Sequence, residues 1–107
     1  MSKLFAFGLG FTAQTLAERL AAQGWEIAGT ARDVGKVGQL AARGYEVVQY
    51  GGEAENGALP GALGGTTHLL HSIPPGPEGD PVLAHYRAPL AALRSLQWVG
   101  YLSTVGV

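Results

Sequence analysis

Leu4-Phe5-Ala6-Phe7 runs straight into Gly8-Leu9-Gly10-Phe11-Thr12-Ala13, and a helical hydrophobic pattern begins immediately afterwards. A short, unbroken apolar run that ends in glycine fits a central parallel strand covered on both faces. Beyond the turn, Ala13, Leu16, Ala17, Leu20 and Ala21 recur at the spacing of one helix face. Gly24 then stands where left-handed backbone can end the helix. Strand, tight turn and helix in this order constrain the chain more than any other feature.

The remainder repeats the alternation. Trp25 to Thr30 reads as a second strand, and Asp33 can cap a helix carrying Val37, Leu40 and Ala41, weakened by Gly35 and Gly38, that stops at Gly44. Tyr45 to Tyr50 is a third strand. Ala21 to Ile27 and Ala41 to Val47 nearly match, so one helix-to-strand joint is used twice. Gly51 to Gly65 suggests a loop or at most a short helix, and Thr67 to Ile73 resumes strand character. Asp80 as cap and Pro81 as first helical residue open a helix through about Leu93, which Pro89 should kink or divide. Trp98 to Ser103 is the fifth strand. The pattern predicts an α/β fold of Rossmann type, a doubly wound parallel sheet of order 3-2-1-4-5, with ligand at the switch between strands 1 and 4.

Bulk properties fit one such domain. The chain has 107 residues, 47% of them hydrophobic and 14% charged, with a net charge of -1. That composition argues for a packed core, and the near-neutral charge offers no basic footprint for nucleic acid or an anionic membrane surface. A small-molecule partner fits better. No cysteine is present, which removes disulfides and thiolate chemistry and agrees with a cytoplasmic location. No apolar stretch approaches the roughly 20 residues that span a bilayer.

The glycine turn carries the chemistry. Gly8 can make the tight turn, Gly10 can let the backbone approach a pyrophosphate, and Ala13 can allow close packing of helix on strand. Leu9, Phe11 and Thr12 complete the backbone that would present its free N–H groups to phosphate at a helix amino end. The competing reading is that small residues merely permit a tight connection. Selectivity between dinucleotides is read after strand 2, where Thr30 and Arg32 can meet a 2′-phosphate. This favours NADP, with NAD as the alternative if Asp33 takes the ribose instead of capping its helix. Ser72 and Pro74 lie at the same crevice, on its expected nicotinamide side.

With the Gly-x-Gly-x-x-Ala turn and Thr30-Ala31-Arg32 in place, the chain resembles the amino-terminal half of an atypical, extended-type short-chain dehydrogenase/reductase of the NAD-dependent epimerase/dehydratase group. Ser72-Ile73-Pro74-Pro75 leading to Gly79-Asp80-Pro81, and Tyr101 to Val107, carry the more specific likeness. The resemblance implies that Thr104, with Ser103 as runner-up, bonds the reacting carbonyl or alcohol; local backbone bonding is the plain alternative for such hydroxyls. Two departures stand out. Phe7 and Ala13 occupy the places of the first and last glycines of the extended-family turn. The sequence also stops before the Tyr-x-x-x-Lys pair that the family uses for proton transfer. Tyr86 has no lysine at helical spacing, and Lys3 and Lys36 have no tyrosine four residues earlier.

Residues 1–107 are therefore expected to form an NAD(P)-binding domain, incomplete for catalysis. Two functions compete: dinucleotide binding by part of an oxidoreductase or epimerase acting on a small-molecule substrate, and a non-catalytic NADP-binding module for redox sensing or association. Strand 5, as an open sheet edge, predicts self-association or marginal stability. No metal is expected, because His68 and His71 should point to opposite faces of their strand.

Overall fold

Five parallel strands form one sheet in the order β3-β2-β1-β4-β5. They are β1 (Lys3–Phe7), β2 (Glu26–Ala31), β3 (Glu46–Gln49), β4 (His68–His71) and β5 (Trp98–Tyr101); the helices between them are α1 (Phe11–Ala22), α2 (Val34–Ala41), α3 (Leu59–Leu63) and α4 (Pro81–Ala91). This is the computed structural model of the chain, which describes residues 2–51, 56–73 and 79–101. The predicted fold class and strand order agree with it.

The apolar run at β1 is buried throughout because the strand is central, paired with β2 on one side and β4 on the other. Alternate residues feed two cores. Leu4 and Ala6 pack with Ala13, Ala17, Leu40 and Leu70 on the α1 and α2 face. Phe5 and Phe7 pack with Leu59, Leu63, Val82 and Tyr86 on the α3 and α4 face. Lys3 is the charged exception within β1. Its ammonium donates to the carbonyls of Ala62 (2.7 Å) and Gly64 (2.8 Å), capping the carboxyl end of α3, and lies 3.6 Å from Glu46.

The repeated joint is real. Gly24 and Gly44 both take positive φ (+90° and +93°), and each N–H donates to the carbonyl three residues earlier, Ala21 and Ala41, at 3.0 Å. Left-handed backbone costs a glycine little, so the chain leaves α1 and α2 by the same reversal into the next strand. The glycines inside α2 do not prevent the helix, because Asp33 caps it and Leu40 is buried beneath it.

Pro89 bends α4, but the non-helical residue is Tyr86 (φ −127°, ψ 21°). A proline clashes with the carbonyl four residues earlier, here that of His85, and the Tyr86 φ rotates that peptide away. Asp80 anchors the start of the helix. Its carboxylate accepts from the Val82 N–H at 2.9 Å and from His71 Nε2 at 3.0 Å, so it joins the end of β4 to α4. His68 packs on the opposite face, its ring centroid 4.7 Å from that of Trp25.

Thr66 is fully buried, and its hydroxyl has no hydrogen-bond partner among the described residues. An unsatisfied buried hydroxyl keeps its desolvation cost, so Thr66→Val should stabilise the fold by about 1 kcal/mol, read as a higher urea midpoint at unchanged slope.

Candidate functional site

The carboxyl ends of β1, β2 and β4 open into a cleft of about 620 Å³. The turn from Gly8 to Ala13 forms its floor, Arg32, Asp33 and Lys36 stand on one side, and Ser72 closes the β4 side. The cleft lies where β2 and β4 diverge to either side of β1, the switch point at which such sheets receive ligands.

The turn itself is tightly specified. Gly8 has φ +91°, and a Cβ there would lie 2.7 Å from Ser72 Oγ. Gly10 is the N-cap of α1, makes no side-chain cap, and would place a Cβ in open space. The first amide bonded back into the helix is that of Gln14, which donates to the Gly10 carbonyl at 2.9 Å. The preceding amides at the helix start therefore lie beside the cleft with no acidic residue in the first turn to cap them. Such an end attracts anions through its N–H groups and the helix dipole. Leu9 is buried, so its contribution to the cleft is backbone, whereas Phe11 is almost wholly exposed and Thr12 is exposed on the cleft wall.

On the β2 side, Asp33 is the cap of α2, accepting from the Gly35 N–H at 3.2 Å. Arg32 is exposed and reaches back so that Nη2 donates to the Gly51 carbonyl at 3.3 Å. Lys36 joins these two at the cleft. The sequence reading passed over Lys36 as a cofactor contact. Its signal was its place three residues after the cap, which brings it round the first helical turn toward the strand end.

Thr30 is corrected. Expected beside Arg32 at a 2′-phosphate, it is fully buried, and its hydroxyl accepts the Gly8 N–H at 2.8 Å. Thr30 still lies inside β2, which is covered on both faces of the sheet, whereas Arg32 follows the last residue of the strand, Ala31. Ser72 lies at the cleft as expected, with its hydroxyl donating toward the carbonyls of Gly8 (2.8 Å) and Phe7 (3.0 Å). Pro74, Ser103 and Thr104 lie outside the described residues.

These features fit a dinucleotide: an uncapped helix end for the pyrophosphate, open space at Gly10 for its close approach, and two cations beyond the end of β2. The sequence matches no family model and no curated protein. Among solved structures it is similar to a functionally unknown conserved protein from Silicibacter pomeroyi DSS, at 42% identity and a TM-score of 0.77 over 98% of this chain and 36% of that one. This chain thus spans about a third of that relative's length. It is also similar to Gre2 from Candida albicans in complex with NADPH, at 21% identity and a TM-score of 0.69 over 94% of this chain and 36% of that chain. A third similarity is to the TrkA-N domain of the inner membrane protein ybaL from Escherichia coli, at 21% identity and a TM-score of 0.66 over 92% and 70% of the two chains. The fold is Rossmann-like. Those two likenesses speak to the shared architecture, and the site's own chemistry carries the functional argument.

Proposed function

We propose that this chain binds a nicotinamide dinucleotide in the cleft above β1, with NADP preferred over NAD. The observation that carries the reading is the uncapped amino end of α1 opposite Arg32 and Lys36 across one cleft. The amides at the start of α1 would hold the pyrophosphate, and Gly10 would let it approach without a side chain intervening. Arg32 and Lys36 would meet the 2′-phosphate; Asp33 caps α2, which favours a phosphate-reading arrangement over recognition of a ribose hydroxyl by that carboxylate. The similar fold of Gre2, whose structure is a complex with NADPH, is in keeping with a nicotinamide dinucleotide in general.

When bound, the cofactor supplies hydride chemistry. In the finer form of the proposal, the chain is the dinucleotide-binding part of a short-chain dehydrogenase or epimerase-like enzyme acting on a small-molecule substrate. Thr104, backed by Ser103, would then hold the substrate oxygen, and residues beyond Val107 would move the proton. That the chain covers only 36% of the similar Silicibacter pomeroyi protein is consistent with that division of labour.

Calorimetric titration of the folded chain with NADPH and NADH tests the reading. Wild type should bind both, NADPH more tightly. Gly10→Ala should lower the thermal midpoint only modestly, because its Cβ meets open space in the free protein and the cost is that of a poorer N-cap residue. It should weaken both dinucleotides by about tenfold or more, the equivalent of at least about 1.4 kcal/mol, because that space is where the pyrophosphate must come. Failure of a demonstrably folded wild type to bind either dinucleotide overturns the proposal.

A further inference from the structure

We propose that Thr30 and Ser72 are positioning residues that lock the glycine turn in its phosphate-binding form, an inference that rests on the dinucleotide reading above. At Gly8 the backbone leaves the strand with φ +91°, so its two polar groups fall out of the regular ladder. Side chains from the two neighbouring strands take them. Thr30 Oγ1, at the end of β2, accepts the Gly8 N–H at 2.8 Å, and Ser72 Oγ, just past β4, donates toward the Gly8 carbonyl at 2.8 Å and the Phe7 carbonyl at 3.0 Å. Main-chain bonds flank this brace: Leu9 N–H to the Thr30 carbonyl at 2.8 Å and Ser72 N–H to the Phe7 carbonyl at 3.0 Å.

The two hydroxyls therefore hold Gly8 by both of its peptide units, from the two neighbouring strands, immediately before the amides that face the cleft. Thr30 is fully buried and the bond it accepts is part-buried, so loss of the hydroxyl leaves the Gly8 N–H without that partner. The turn would then sample orientations in which the amides at the α1 start no longer converge. Neither hydroxyl has to touch the ligand; both act through Gly8.

The test uses Thr30→Val, which keeps the shape, Thr30→Ser, which restores the hydroxyl, and Ser72→Ala. Each is titrated with NADPH and with adenosine 2′-monophosphate, which carries the phosphate facing Arg32 and Lys36 but no pyrophosphate. Thr30→Val and Ser72→Ala should weaken NADPH by about tenfold, Thr30→Ser should stay within about threefold of wild type, and adenosine 2′-monophosphate should be unaffected throughout. Exchange of the Gly8 amide with solvent, followed by NMR, should accelerate about tenfold or more in Thr30→Val alone. Wild-type NADPH affinity in Thr30→Val, or a parallel loss of both ligands, overturns the brace. So does unchanged Gly8 exchange, whatever the wild type binds. Absence of NADPH binding by the folded wild type, with Gly8 exchange responding as expected, overturns the cofactor reading and leaves the brace as a property of the turn.

Discussion

Arg32→Ala combined with Lys36→Ala should weaken NADPH about a hundredfold while NADH affinity stays within about twofold. Each charge-assisted bond to phosphate contributes about 1.5 to 3 kcal/mol, but both side chains stand at the surface, where solvent and salt reduce that figure. Arg32 must also give up its bond to the Gly51 carbonyl, at 3.3 Å already a long one, to turn toward a ligand. A hundredfold change, about 2.7 kcal/mol, is what remains after these reductions. The NADPH preference should also shrink as ionic strength rises, because exposed charges are screened over roughly 8 to 10 Å near physiological salt. Calorimetry with both coenzymes at two salt concentrations checks the prediction. Equal weakening of NADH and NADPH would assign the two cations a general role and remove the basis for preferring NADP.

The largest effect on stability should come from Gly29→Ala, a loss of about 3 kcal/mol. A Cβ at Gly29 would lie 2.5 Å from the Ala6 carbonyl oxygen and 2.8 Å from Leu9 Cδ1. The first of these neighbours is backbone of the adjacent strand, paired in register with Gly29, so it cannot yield without shifting β1 against β2. The second is the buried Leu9 side chain, which occupies the space over β2 that a larger residue would need. Gly38→Ala makes the control. That glycine lies in α2, exposed and with open space where a Cβ would go, so the same change there should stabilise by about 0.5 to 1 kcal/mol through helix propensity. Urea denaturation of the two variants beside wild type decides the matter; a mild effect at Gly29 would show that the strand pair can accommodate the side chain.

The contrast between Gly10 and Gly29 separates two reasons for a small residue at the same crevice. One leaves room for a ligand and the other for Leu9. Periodicity and the strand-turn-helix order exposed the role of Gly10, because a local pattern states where a helix begins. Nothing local marks Gly29, whose constraint comes from a residue twenty positions earlier folding back across the neighbouring strand.

By itself the sequence determined the architecture: a central strand with no polar face, two helices ended by the same glycine reversal, and an alternation that leaves a parallel sheet with one switch point. These are consequences of spacing and of backbone preference, which act over a few residues. It also determined the Asp33 and Asp80 caps, since each lies one residue before the helix it starts. β3 and β4 came out shorter than the stretches Tyr45 to Tyr50 and Thr67 to Ile73, because pairing ends when the neighbouring chain turns away, whereas β1 gains Lys3 and β2 is shifted by one residue. Tertiary structure alone decided the division of labour around the cleft. Thr30 is buried within β2 and bonds Gly8, Lys36 is carried to the cleft by one turn of helix, and Ser72 becomes the other half of the brace. Each of those outcomes depends on which residues from separate strands converge after folding, and that convergence is set by packing across the sheet rather than by any pattern along the chain.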